Sequence, residues 1–202
     1  HITSLPSHYG VGTLAETDKF IRFLKKSKQS YWQILPVTPT DFVNSPYASP
    51  SAFAGNTLLI DVEKLRDEGL VSAETVSDCG NDYGYAIYNK DRILREAFKN
   101  FVRNNPPQDY VEFCEQNSFW LNDYALFCAV KKHFGGKSWL EWDDEDIRMR
   151  TDGAMKHYSD MLSDEVDFNI FCQYLFFSQW KQFRKKLHRN GIKLIGDIPI
   201  YV

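Results

Sequence analysis

The sequence has little of what would mark a membrane, secreted or nucleic-acid-binding protein. No apolar run approaches the roughly 18 residues that cross a bilayer, and no charged-then-apolar leader opens the chain. Lys and Arg total 24 against 27 Asp and Glu, a net charge of −3. That balance gives no general attraction to nucleic acid or to an anionic membrane. Cysteine is sparse. Cys79, Cys114, Cys128 and Cys172 make no C-x-x-C pair, so neither a zinc site nor a dense disulfide framework is expected. No N-x-[ST] acceptor occurs. These absences point to a cytoplasmic chain with free thiols. The five histidines form no H-E-x-x-H or other ligand spacing, and no serine is framed as G-x-S-x-G. Gly10-Val11-Gly12 lacks the third glycine and the distant acid of a dinucleotide fingerprint. No metal and no organic cofactor is expected.

Aromatic residues are abundant, at 15% of the 202 residues. The pattern alternates between strand and helix at both ends of the chain. His1–Leu5 reads as the end of a strand. Phe20, Ile21, Phe23 and Leu24 among Lys and Arg predict an amphipathic helix over Thr17–Lys28, capped by Thr13 or Thr17. Ser30–Val37 is a short apolar run ended by prolines, a buried strand. Phe168–Arg189 carries apolar residues at helical spacing with basic residues in its last turns, and Asn190-Gly191 is a stop signal. The segment IKLIGDIPIYV that follows is a nearly continuous apolar strand. Strands joined by helical crossovers form parallel sheets. An open doubly wound sheet and a β/α barrel both remain at this point.

A long, mostly helical insert lies between the strands. Helices are expected over Asp91–Val102 and Phe119–Phe134, with a break at Pro106-Pro107. Phe134–Ser138, FGGKS, looks like the end of a phosphate loop, but position 131 is Lys and a helix precedes it, so it reads as a helix C-cap. Trp142–Asp146, WDDED, reads as a solvated helix start. The expected organisation is residues 1–40 as strand–helix–strand, 41–165 as loop plus inserted helices, and 166–202 as helix and third strand.

Two residues stand out. Asp197 interrupts an apolar strand, where an unpartnered carboxylate is costly. Carboxylates at the C-terminal ends of parallel strands face the site in α/β folds, while a salt bridge to a neighbouring strand is the structural alternative. Asn44–Asp61 follows the second strand at the same end. Its Ser, Pro, Gly and Asn are loop residues, but Tyr47 is not required by loop geometry. An aromatic ring beside a carboxylate is an arrangement that holds sugars, the ring on the pyranose face and the acid on its hydroxyls. Tyr47 as a lid over the core is the competing reading.

HITSLPSHYGVGTL, QSYWQILPVTPT, SPYASPSAFAGNTLLID, SWLEWDDEDIRMR and NGIKLIGDIPIYV, in that order, together resemble the amylomaltases, or 4-α-glucanotransferases, of the α-amylase superfamily. The resemblance implies a (β/α)8 TIM barrel with helical insertions, of which about the first three strands are present. It implies transfer of α-1,4-glucan segments to the 4-hydroxyl of glucose or a maltodextrin, with retention. The family's catalytic carboxylates are expected beyond Val202, so the chain reads as the N-terminal portion of a longer protein. The resemblance makes Tyr47 the residue that stacks on the sugar beside the scissile bond, Ser45 a contact on the acceptor side, and Asp197 a ligand of that sugar's hydroxyls. His1 and Ser4 belong to the first-strand motif and have a positioning role. Phe42 stands where many relatives have a tyrosine used at a second glucan site. An α-amylase-type hydrolase and a non-catalytic glucan-binding protein are the alternatives.

Overall fold

The computed structural model describes residues 1–41, 44–72, 82–102 and 106–202. It is a helix-rich α/β structure that divides into two compact units, residues 1–106 with 175–202, and residues 107–174.

In the first unit, α1 (Thr17–Lys26) has Glu16 as its N-cap and no side-chain cap, so neither Thr13 nor Thr17 caps it as expected; Thr13 instead ties the turn that leads into it. Thr13 Oγ1 accepts from Ala15 N–H, and Glu16 reaches back to accept from Thr13 N–H at 2.6 Å. The helix buries Ile21 and Leu24 and leaves its basic face to solvent. β1 (Tyr31–Gln33) follows and runs parallel to β2 (Lys193–Ile195), with Tyr31 opposite Lys193 and Gln33 opposite Ile195. Trp32, on β1, anchors an aromatic series. It lies 4.7 Å from Phe20 of α1 and 5.7 Å from Phe183 of α8 (Ser163–Arg189). Trp180 and Phe176 extend that series along α8. Between the strands the chain also forms α2 (Val62–Asp67), capped by the Asp61 carboxylate, and α3 (Tyr83–Val102). Gln179 of α8 grips the backbone of Asp61 twice, accepting from its N–H at 2.7 Å and donating to its carbonyl at 3.1 Å.

Three strand expectations are corrected. His1–Leu5 is not a strand end: Ile2–Ser4 form a 3-10 turn. Ser4 N–H bonds to the His1 carbonyl and Leu5 N–H to the Ile2 carbonyl. These groups are satisfied within the turn rather than by a neighbouring strand. The strand expected over Ser30–Val37 is three residues long, with Trp32 buried and Tyr31 and Gln33 exposed. Pro36 has no N–H to continue a ladder, and the Leu35 N–H is taken by His1 Nδ1. β2 ends at Ile195, so Asp197 lies past the strand and is exposed, not buried inside it. Two strands, not three, are present among the described residues.

The second unit is helical: α4 (Gln108–Gln116), α5 (Ser118–His133), α6 (Glu145–Arg148), α7 (Asp152–Met161) and the start of α8. Its core gathers Leu126 and Val130 of α5 with Trp142, Ile147 and Tyr158. FGGKS is the C-cap expected: Gly136 N–H bonds to the Lys131 carbonyl at 2.8 Å, and Gly135 and Gly136 both have positive φ. WDDED is the helix start expected, with Asp144 accepting from Asp146 N–H and Ile147 N–H. Cys114, Cys128 and Cys172 are free thiols, Cys172 buried. Cys79 and Phe42 lie outside the described residues. Among the described residues no helix is long and apolar enough to cross a membrane.

Candidate functional site

The site is built where the loop after β1 meets the segment after β2. Pro199 cannot donate to a ladder, and Ile198 N–H turns back to Asp197 Oδ1 at 2.9 Å. Parallel pairing ends there, then resumes with a different partner. Ile200 N–H and Tyr201 N–H both donate to the Tyr47 carbonyl, at 3.1 and 3.0 Å. Ser49 N–H donates to the Tyr201 carbonyl at 2.9 Å, which makes an isolated parallel bridge between Ala48 and Tyr201.

The loop is shaped by its own polar groups. Asn44 takes a positive φ of 55° and its N–H donates to the Asp41 carbonyl at 2.8 Å. Ser45 closes the next turn: its carbonyl accepts from Ala48 N–H and its Oγ from Tyr47 N–H at 3.3 Å. Ser51 Oγ accepts from Phe53 N–H and Ala54 N–H, both at 3.1 Å. The far end is pinned at Gly55. A Cβ there would lie 1.9 Å from the Phe176 ring of α8, so a glycine is required for the close approach.

These contacts bring Tyr47 to Asp197. The Tyr47 hydroxyl donates to Asp197 Oδ2 at 2.9 Å. The bond to the carboxylate, followed by burial and by the Asp197 charge, pushes the Tyr47 phenol above its ordinary value. Each Asp197 oxygen thus accepts one hydrogen bond, and lone pairs remain on both for other donors. Tyr47 is half-buried and Asp197 exposed. The product is a fixed ring edge-linked to an open acceptor, a geometry suited to a polyhydroxyl ligand.

Of the other residues singled out in the sequence, Ser45 joins this cluster through the turn it closes. His1 is fixed elsewhere, its Nδ1 accepting from Leu35 N–H at 3.2 Å just past β1. That contact requires the Nδ1 lone pair and therefore the Nε2–H tautomer. Ser4 is exposed on the same 3-10 turn. No side-chain hydrogen bond among the described residues links either to Tyr47 or Asp197. Sequence reasoning missed Tyr201 and Ser49, which clamp the loop through main-chain groups. No side-chain pattern announces that role. Among the described residues no group of three or more His, Cys, Asp or Glu is placed to hold a metal ion.

Residues 1–202 match the model of a protein family described as 4-alpha-glucanotransferase. Over its whole length the chain is 42% identical to the 4-alpha-glucanotransferase of Thermus thermophilus, 41% of which it covers. It is 38% identical to that of Streptococcus pneumoniae, covering 42% of it. Among solved structures, amylomaltase from Streptococcus agalactiae in complex with acarbose matches with a TM-score of 0.94 at 39% identity, over 100% of this chain and 42% of that one. The chain thus spans about two-fifths of the length of these relatives.

Proposed function

The chain belongs to the 4-alpha-glucanotransferase family, and from that premise we propose that its full-length protein moves α-1,4-glucan segments from one maltodextrin to the 4-hydroxyl of glucose or of another maltodextrin. The observation that carries the reading to this chain's own residues is the Tyr47–Asp197 contact, at 2.9 Å, on a loop held to the segment after β2. In this reading the Tyr47 ring packs on the sugar beside the bond to be cut. Asp197 takes that sugar's hydroxyls, and Ser45 meets the acceptor side. His1 and Ser4 position the first turn against the end of β1. Phe42 offers a ring, without a hydroxyl, to a second glucan site.

The fold proposed for the whole is a (β/α)8 barrel. Residues 1–40 and 166–202 belong to the barrel, and 41–165 carry the loop and the inserted helices. Support comes from the parallel pairing of β1 and β2 and from Ile198, Ile200, Tyr201 and Val202, each more than 70% exposed among the described residues. Further barrel elements would cover them. Chemistry with retention takes two carboxylates, one attacking the anomeric carbon and one protonating the leaving oxygen, then deprotonating the acceptor. We assign both to parts of the full-length protein outside these 202 residues. The complex of the Streptococcus agalactiae amylomaltase with acarbose supports a glucan-type ligand. The compartment proposed is the cytoplasm, in keeping with the free thiols of Cys114, Cys128 and Cys172.

Product analysis of the full-length protein on maltotriose tests the reading. Glucose together with chains longer than maltotriose is the expected result. Only shorter sugars would mean hydrolysis and would overturn it.

A further inference from the structure

Of the five tryptophans, the fold leaves one over. Trp32, Trp120, Trp142 and Trp180 each meet another aromatic ring. Trp139 meets none among the described residues, and its indole N–H has no acceptor there. It is 49% exposed. Its backbone is nonetheless fixed. In the turn Trp139–Glu141, Ser138 N–H donates to the Glu141 carboxylate at 3.3 Å, and Glu141 N–H to the Ser138 carbonyl at 2.9 Å. The Arg148 guanidinium donates to the Leu140 carbonyl at 3.3 Å, and the Trp142 indole to the Lys137 carbonyl at 3.3 Å. A large ring is thus presented at the surface by bonds that it does not itself make. It stands at a cavity of about 290 Å³ in the second unit, with Phe127, Trp142, Ile147 and Met155 as apolar walls and Arg150 also in the lining. A cavity of roughly 150 Å³ takes benzene, so a pyranose has room. Arg150 pairs with Asp123 at 2.9 Å, and both side chains are more than half exposed. The pair uses one Arg150 nitrogen and one Asp123 oxygen, so further donors and a further acceptor remain for a ligand.

We propose that this is an accessory glucan-holding site, in which one glucose unit of an α-1,4-glucan packs its apolar face on Trp139 and hydrogen-bonds to Arg150 and Asp123. Its residues are distinct from Tyr47, Asp197 and Phe42, and it rests on the reading that the full-length protein handles α-1,4-glucans. A sugar hydroxyl is donor and acceptor at once. An Arg–Asp pair offers the complement of both with no net charge. An organic anion meets the like charge of Asp123, and an organic cation that of Arg150. A purely apolar ligand strips water from the pair and returns no hydrogen bond. A polymer held at one point has its other units at raised local concentration for a second site. A donor too short to occupy both sites gains nothing.

Electrophoresis of the folded full-length protein through gels containing amylopectin, together with transfer kinetics on maltotriose, tests this. Amylopectin is expected to retard the unaltered protein. Trp139→Ala weakens that affinity by about fivefold, the scale of one aromatic contact. Trp139→Phe keeps most of it, because a ring remains, and Arg150→Met loses part. On maltotriose, Trp139→Ala keeps the kcat and KM of the unaltered protein, while its KM for amylopectin as donor rises. Equal retardation of Trp139→Ala and the unaltered protein overturns the proposal, as does no retardation of either. So does a Trp139→Phe variant no better than Trp139→Ala. A matching loss on maltotriose also overturns it, since Trp139 would then belong to the transfer site itself. If the unaltered protein only hydrolyses maltotriose, the transfer reading fails while the retardation series still decides this site. If Trp139→Ala melts below the assay temperature, Arg150→Met decides, and unchanged retardation there overturns the proposal.

Discussion

Tyr47 and Asp197 meet through one hydrogen bond, and its asymmetry sets what each substitution does. Asp197 is exposed, and among the described residues its carboxylate accepts only from the Tyr47 hydroxyl and the Ile198 N–H. Asp197→Asn therefore leaves the melting temperature near that of the unaltered protein. If Asp197 takes hydroxyls of a sugar whose ring flattens in the transition state, the loss falls on turnover. A decrease of roughly 10²-fold is expected, with a smaller change in KM. Melting and turnover measured on one purified full-length variant check both halves, and a large stability loss with normal turnover per folded molecule removes Asp197 from the site. The same substitution lowers the Tyr47 phenol toward its ordinary value, because the carboxylate that holds its proton is gone. Ultraviolet titration of Asp197→Asn against the unaltered protein reads that shift. Tyr47→Phe keeps the ring and costs little transfer, whereas Tyr47→Ala costs much. The pairing was legible because a parallel strand's C-terminal end and the loop of its neighbour share one edge of a sheet. The exposure of Asp197 was not. Apolar neighbours in sequence, Ile195, Ile198 and Ile200, suggest burial, yet each is itself largely exposed.

At the scale of elements, the loop after β1 is held by main-chain hydrogen bonds to Tyr201 and, at its far end, by a close fit at Gly55. Gly55 lies under the Phe176 ring, and a methyl there would overlap it. Gly55→Ala is expected to destabilise the protein by about 1–3 kcal/mol, the usual cost of overpacking. Phe176→Leu in the same chain recovers part of that loss. Denaturant melts of the two single variants and the double variant check this.

In the second unit, Asp144 caps α6 and accepts from the Tyr158 hydroxyl at 2.9 Å. The hydrogen bond from Tyr158 holds the Asp144 carboxyl below its ordinary value of 3.8. A lowered acid contributes stability above its unfolded value and loses it as pH falls. Burial first, and the bond to Asp144 second, push Tyr158 up to about 12 from 10.0. A raised phenol contributes stability below pH 10 and loses it as pH rises through 12. Tyr158→Phe should therefore flatten both limbs of the stability–pH profile, below about pH 4 and between about 10 and 12. A Tyr158→Phe profile that parallels the unaltered one would show the bond to be energetically silent. The caps at Asp144 and at Gly135-Gly136 were legible, since they sit at the spacing that orphan helix-end groups demand, but the cap expected at Thr13 or Thr17 is not made. The lengths of β1 and β2 were not. Apolar runs extend well past Gln33 and Ile195, and where a strand ends depends on what its N–H groups find in space.

On the scale of the whole chain, one boundary of the two units coincides with the Pro106-Pro107 break and was legible, and the other had no local signal. The division at residues 174 and 175 falls inside the continuous α8, and helical periodicity does not change there. What the sequence did carry was the order of the elements, strand and helix at each end around a helical middle, together with motifs specific enough to name a family. The pairing of Tyr31 with Lys193 has a further consequence, in time rather than space. A ribosome adding roughly 5–20 residues per second makes β1 about 10–30 s before its partner exists. Throughout that interval the Trp32 face has no strand beside it, while residues 107–174 are completed and gather their own core around Trp142 and Tyr158. Proteolysis of stalled nascent chains should find the second unit protected first. The parallel pair should become resistant only after Ile195 has cleared the exit tunnel. The segment that a folding helper must shield is thus made before the insert, and the length of the insert sets how long the shielding lasts.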